Sequence, residues 1–200
     1  MDQFVSLPPL PAPLVWHTPP TQWQATDSSL TMAAGARTDL FIDPQGAAPM
    51  RNAPRLLGAV SGDFQLSARV VVDFAATFDA GVLLIWRDED HWAKLCFEYS
   101  PRGRPMIVSV VTRGTSDDAN AFEVPTNQIW LRVSRMGSAF AFHASSDGQV
   151  WELTRHFRLE DGEKASLGFL AQSPTGAGCT VTFDAIRFLP EGVRDLRGGQ

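Results

Sequence analysis

Phe64, Leu66, Ala68, Val70, Val72 and Phe74 occupy every second position of residues 64–74, while Gln65, Ser67, Arg69 and Asp73 fall between them. A side-chain period of two belongs to a β-strand with one face buried and one wet. A helix would scatter these apolar groups around its circumference. The same reading extends along the chain. Val82 to Arg87 is a strand that is apolar on both faces until its end. In His91 to Tyr99, Ala93, Leu95, Phe97 and Tyr99 alternate with Trp92, Lys94, Cys96 and Glu98. Met106 to Thr112 is β-branched, and further strands are predicted over 129–135, 139–145, 166–171 and 180–188. Asp88-Glu89-Asp90, Pro101 to Pro105, Asp147-Gly148 and Glu160 to Glu163 read as turns. Turns recurring roughly every eight to fifteen residues, with no amphipathic helix between them, predict an all-β antiparallel sandwich rather than βαβ units.

Composition agrees and narrows the function classes. The 200 residues are 44% hydrophobic and only 20% charged, which excludes a disordered chain. A net charge of −5 argues against a dedicated nucleic-acid or anionic-membrane binder. A chain of this length buries enough surface to fold without a metal or disulfide. One domain is expected over 1–190. Residues 1–13 open a Pro-rich segment that runs extended over the surface to about residue 20, and 191–200 form a flexible tail. Cys96 and Cys179 sit in apolar segments and read as buried thiols. With no basic n-region at the N-terminus and no long apolar run, the expected compartment is the cytoplasm.

The segment from Trp92 to Glu98 carries the most chemistry. On a strand, Trp92, Lys94 and Glu98 share one face, and Lys94 and Glu98 lie about 13 Å apart. They cannot touch directly, but each can pair with a group on a neighbouring strand, for which Arg87, Thr112, Arg132 and His143 are the candidates. An indole beside charged groups on a concave sheet face can hold a sugar: the ring stacks on the pyranose and the charges bond its hydroxyls. The alternative is an ordinary wet sheet face with cross-strand pairs. Ser116-Asp117-Asp118 reads either as a pocket rim or as a turn that ends a strand. Ser145 to Trp151 is similar to the sialidase Asp-box turn and is expected to be structural. Glycoside hydrolysis would require paired carboxylates, with Asp79, Glu98 and Asp117 as candidates. The Glu-x-Asp-x-x-Glu pattern of laminarinase-type glucanases does not occur. His17, His91, His143 and His156 have no metal-ligand spacing.

Several motifs in order resemble one family. They are Phe78-Asp79-Ala80-Gly81-Val82-Leu83-Leu84, then Asp88, Trp92-Ala93-Lys94 and Glu98. Ser109 to Thr112, Ser116-Asp117, Leu131-Arg132-Val133 with Arg135, Ser145-x-Asp147-Gly148-x-x-Trp151 and Ser173-Pro174 before Phe183 follow. Over residues 14–188 the chain resembles the DUF1349 family. The resemblance implies a concanavalin A-like lectin/glucanase fold, a jelly roll of two antiparallel sheets, with no established enzymatic activity. Family members often carry Asp-Gln-Ala-Gly and Ser-Asp-Trp-Ser where this chain has Asp79-Ala80-Gly81 and Ser116-Asp117-Asp118-Ala119.

The leading expectation is a non-catalytic binding module for a carbohydrate or another small polar ligand on the concave face. Trp92 is its stacking platform, Lys94 and Glu98 its hydroxyl partners, and Asp79, Thr112 and Asp117 its rim. Arg132 is expected to neutralise Glu98. No cofactor or metal is called for. A protein-interaction or regulatory domain linked to sugar metabolism is the second expectation, and a glycoside hydrolase the third.

Overall fold

A computed structural model describes residues 4–159 and 165–200, so the turn expected at Glu160 to Glu163 lies outside the described residues. In chain order the strands are β1 (Phe4–Val5), β2 (Leu14–Thr18), β3 (Trp23–Ala25), β4 (Leu30–Gly35), β5 (Leu40–Phe41), β6 (Met50–Arg51), β7 (Arg55–Ala59) and β8 (Phe64–Val72). They continue with β9 (Ala80–Asp88), β10 (His91–Tyr99), β11 (Pro105–Arg113), β12 (Thr115–Glu123), β13 (Gln128–Met136), β14 (Ala139–Ser145), β15 (Glu152–Arg158), β16 (Ser166–Gln172) and β17 (Gly178–Leu189). One sheet has eight strands in the order β1-β2-β7-β16-β9-β10-β11-β12, and the other has seven in the order β15-β14-β13-β8-β17-β4-β3. Strands β5 and β6 form a small hairpin of their own. Neighbouring strands pair antiparallel, so the molecule is the expected all-β jelly-roll sandwich.

The alternating residues decide which face each strand buries. Phe64, Leu66, Ala68, Val70 and Val72 of β8 meet Leu83 and Ile85 of β9, Ala93, Leu95 and Phe97 of β10, and Phe169 of β16 in one core. Gly81 faces the other sheet across the core. A Cβ there would stand 2.5 Å from Val70 and 2.6 Å from Val181. That explains the glycine of the Asp79-Ala80-Gly81 motif.

A second apolar layer lies on the outer face of the eight-stranded sheet. Val82, Leu84 and Trp86 of β9, Trp92 and Cys96 of β10, and Val108 and Val110 of β11 are covered there by Leu40, Ile42 and Ala53 of segment 39–54. This is why β9 reads apolar on both faces. The Pro-rich start of the chain does not merely run over the surface. Val5, Leu7, Leu10, Leu14 and Trp16 are buried in the main core. Residues 191–200 are likewise folded onto the seven-stranded sheet, where Val193 is buried and the Gly199 and Leu196 carbonyls accept hydrogen bonds from Arg132 and His143.

Candidate functional site

The register of β9 to β12 sets out the site as rows across the sheet. One row runs Leu84, Lys94, Val110, Asp118, and another runs Gln172, Ala80, Glu98, Met106. Lys94 and Glu98 thus share the outer face, two pleats apart, as expected. They open onto a pocket of about 210 Å³ whose polar groups are Asp39, Lys94, Glu98, Asp118 and Gln172. Val108 and Val110 floor it, while Phe41, Phe78 and Pro174 complete its walls.

Lys94 is only 2% exposed, and a buried ammonium must be paired. Its Nζ donates to Gln172 Oε1 at 2.9 Å and to Asp39 Oδ1 at 3.5 Å. It also lies 5.9 Å from the Phe41 ring centre and 5.6 Å from that of Trp92. Burial acts to lower its pKa, but the nearby Asp39 carboxylate and other anionic groups outweigh burial and raise it. Glu98 is half-buried. Loss of water pushes its pKa up to about 8, against the pull of Lys94 and helped by Asp39 and Asp118. The pocket therefore holds the Lys94 ammonium beside a Glu98 carboxyl that keeps its proton at neutral pH, with Asp39 and Asp118 next to them. It can donate and accept hydrogen bonds with little room for a further negative charge.

Phe78 stands at the rim, 37% exposed, with φ at 71°. A bulky side chain in the left-handed region is strained and persists only where its surroundings over-determine it. Here the Phe78 N–H donates to the Tyr99 carbonyl and its carbonyl accepts from Gln172 Nε2. Thr175 Oγ1 donates to the Thr77 carbonyl. Asp79 Oδ2 accepts from the amides of Ala75 and Ala76 at 2.8 and 2.7 Å, and Ser173 Oγ donates to Asp79 Oδ1 at 2.6 Å. Ser173 also pairs backbone to backbone with Thr38, next to Asp39. One network thus fixes Phe78, Gln172 and Asp39.

Several expected site residues take other roles. Trp92 is fully buried beneath segment 39–54 and offers no face to a sugar, so the expected stacking platform is corrected; Phe78 and Phe41 are the aromatic walls. Asp79 is buried and holds the rim loop from below. Thr112 is buried against Ser116, whose Oγ accepts from the Ile42 amide, so this pair pins segment 39–54 to the sheet. Ser116 to Asp118 belong to β12 rather than to a turn. Asp117 points away and pairs with Arg155 at 3.0 Å, whereas Asp118 lines the pocket. Arg132 lies on the outer face of the other sheet, across the sandwich from Glu98, and cannot neutralise it. His143 is beside Arg132 on β14, and Arg87 pairs with Asp88.

Sequence reasoning missed Asp39, Phe41 and Gln172, and from the Ser116-Asp117-Asp118 rim it chose Asp117 where Asp118 lines the pocket. The available signal was the doubly apolar β9, which requires a covering segment. The Asp-box-like turn is structural, as expected: Asp147 Oδ1 accepts from the Gln149 and Val150 amides, and Gly148 takes φ of 74°. Among the described residues no group of three or more His, Cys, Asp or Glu is placed to hold a metal ion. Among them, too, no helix is long and apolar enough to cross a membrane.

Comparison with known proteins agrees with the architecture. Residues 16–191 match the profile of the family described as "Protein of unknown function (DUF1349)". Regulation of enolase protein 1 of Saccharomyces cerevisiae is 30% identical over 135 residues, covering 66% of this chain and 68% of that protein. A functionally unknown protein from Saccharomyces cerevisiae superposes with a TM-score of 0.81 at 24% identity, over 88% of this chain and 95% of that one. The carbohydrate binding module CBM66 from Bacillus subtilis shares the fold at a TM-score of 0.57 and 12% identity, over 86% of this chain and 94% of that one.

Proposed function

The chain belongs to the DUF1349 family, whose function is not known, and from its pocket we propose that it is a non-catalytic module binding a carbohydrate or similar small polar ligand. The observation that carries this reading is Phe78, held in a left-handed backbone beside the buried Lys94, Asp39 and Gln172 cluster. Strain kept at a pocket rim by a dedicated hydrogen-bond network points to a binding role for the ring. Phe78 and Phe41 meet the apolar face of a sugar ring, while Lys94, Gln172, Asp39 and the protonated Glu98 bond its hydroxyls. The volume is below the about 300–1,000 Å³ of drug-sized ligand sites, which suits one sugar unit rather than a long chain. The fold shared with a carbohydrate binding module supports the same reading. The two free, buried cysteines suit a reducing compartment such as the cytoplasm.

The test is an NMR titration with a panel of neutral monosaccharides and oligosaccharides. Binding that Phe78→Ala and Lys94→Met each weaken at least tenfold supports the proposal. Silence across the panel at millimolar sugar overturns it. Turnover of a labelled glycan, abolished in Glu98→Gln, would replace it with a hydrolase. A regulatory domain with a protein partner is the second reading, favoured by the name of the yeast relative. It predicts a specific complex that survives Phe78→Ala.

A further inference from the structure

The outer face of the seven-stranded sheet carries a second pocket, of about 400 Å³, on the far side of the core from Lys94. Gln65, Ser67, Trp130, Arg132, Trp151 and Arg187 line it, with the 147–149 turn as one wall. Three observations make it a built site. First, Arg132 is only 6% exposed, and no carboxylate among the described residues pairs with it. One nitrogen, Nη2, donates to the neutral Gly199 carbonyl at 2.8 Å, while Nε is buried without a partner. An uncompensated buried cation is costly. The contrast lies on the same sheet, where Arg69 forms a two-pronged pair with Asp184 at 2.8 Å for each bond.

Second, the register places Arg187, Ser67, Arg132 and His143 on one cross-strand row. Neighbouring strands stand about 4.8 Å apart, so the two arginine backbones flank Ser67 at roughly 10 Å from one another. Both guanidinium groups can reach one ligand group lying above the serine. Third, a β-bulge between Asp184 and Arg187 creates this arrangement. Ala185 there takes a positive φ of 47°. Without the extra residue, position 187 would face the core. With it, Ile186 is buried and Arg187 turns outward. Bulges that re-aim a side chain gather near functional sites.

The aromatic walls are equally fixed. The Arg132 guanidinium lies 4.3 Å from the Trp151 ring centre, and Trp130 is pressed against Gly148, where a Cβ would come within 2.9 Å of the indole. Asp147 is the one carboxylate lining this pocket, and its Oδ1 is committed to the amides of its own turn. Arg187 has no ion pair among the described residues.

We propose that this pocket binds a small organic oxyanion, its carboxylate or phosphate held between Arg132 and Arg187 over Ser67 and its body resting on Trp130 and Trp151. This goes beyond the neutral-ligand pocket and does not depend on it. Guanidinium is the side chain best matched to planar oxyanions. The arrangement also explains why a chain of net negative charge keeps an unpaired buried arginine.

The experiment follows tryptophan fluorescence at low salt while glucuronate, glucose 6-phosphate, inorganic phosphate and neutral glucose are added in turn. At least one of the two sugar anions is expected to bind in a way that Arg187→Gln weakens, with inorganic phosphate at least tenfold weaker and any response to neutral glucose unaffected by Arg187→Gln. Which anion binds identifies the carboxylate or the phosphate as the natural group. Because Arg187 is exposed, Arg187→Gln should fold normally and weaken binding at least tenfold. Lys94→Met should leave it unchanged. Anion binding that is indifferent to Arg187→Gln, or absent for both sugar anions, would overturn the proposal.

Discussion

Glu98 shows how position on a strand sets the chemistry of a single group. Its pKa of about 8 lies above the ordinary 4.5 because the folded chain removes water from the carboxyl and surrounds it with Asp39 and Asp118. Between about pH 4.5 and 8 the unfolded chain loses a proton that the folded chain keeps. The contribution of Glu98 to stability is therefore fully present below pH 4.5 and is lost as pH rises through 8. Glu98→Gln removes this dependence, so the melting temperature of the native chain should fall relative to the variant from pH 5 to pH 9. A constant difference across that range would show that Glu98 titrates normally. Phe78 is tested by asking whether strain and binding separate. Phe78→Asn places in the left-handed region a residue that tolerates it, so stability should hold or rise by about 1 kcal/mol while ligand binding falls. A loss of stability measured by denaturant titration would show that the ring, though 37% exposed, is a packing residue. Trp92 differs again. It drew notice because it shares a strand face with Lys94 and Glu98, and that placement is correct. What periodicity could not convey was that a distant segment lies over that part of the face.

At the scale of elements, legibility followed burial. Strands β8, β10, β11, β13, β14, β16 and β17 each carry apolar residues into the main core, and the sequence reading located them to within two residues at either end. Strand β12 escaped because most of its side chains are exposed; it is an edge strand held by backbone pairing to β11, with little hydrophobic pattern to read. The short N-terminal strands were hidden by prolines, and their apolar residues became core only through partners far along the chain, such as β7 against β2. The same logic explains the pocket. Lys94 and Glu98 were legible because both stand on one strand, whereas Asp39 and Gln172 reach them through pairings that no local spacing encodes. Strand pairing also gives a sharp test at Gly168 of β16. A Cβ there would lie 1.9 Å from the Leu56 carbonyl oxygen of β7. Backbone cannot yield as a side chain can, so Gly168→Ala should destabilise the chain by about 3 kcal/mol in denaturant titration. Little change would mean that β7 moves freely against β16.

For the molecule as a whole, the sandwich core separates an acidic pocket on one outer face from an arginine pocket on the other, and residues 191–200 close the second face. This segment was read as a free tail because it is polar and rich in glycine, yet its carbonyls are the acceptors for Arg132 and His143. A carbonyl only accepts, so Nε2 of His143 carries the hydrogen, while Nδ1 is buried without a partner. Burial lowers the His143 pKa to about 4, and Arg132 adds to the effect, while the bond to the Leu196 carbonyl opposes it. Folding thus keeps His143 neutral where the unfolded chain would be charged. Its contribution to stability is present above pH 6.5 and is lost as pH falls toward 4. Removing residues 191–200 would take away both the cover and the opposing hydrogen bond. Desolvation is the larger of the two, so the His143 pKa should rise toward 6.5 in the shortened chain, as followed by NMR of the imidazole protons. A pKa that stays near 4 would assign the burial to the sheet itself and leave the segment without a role in closing that face.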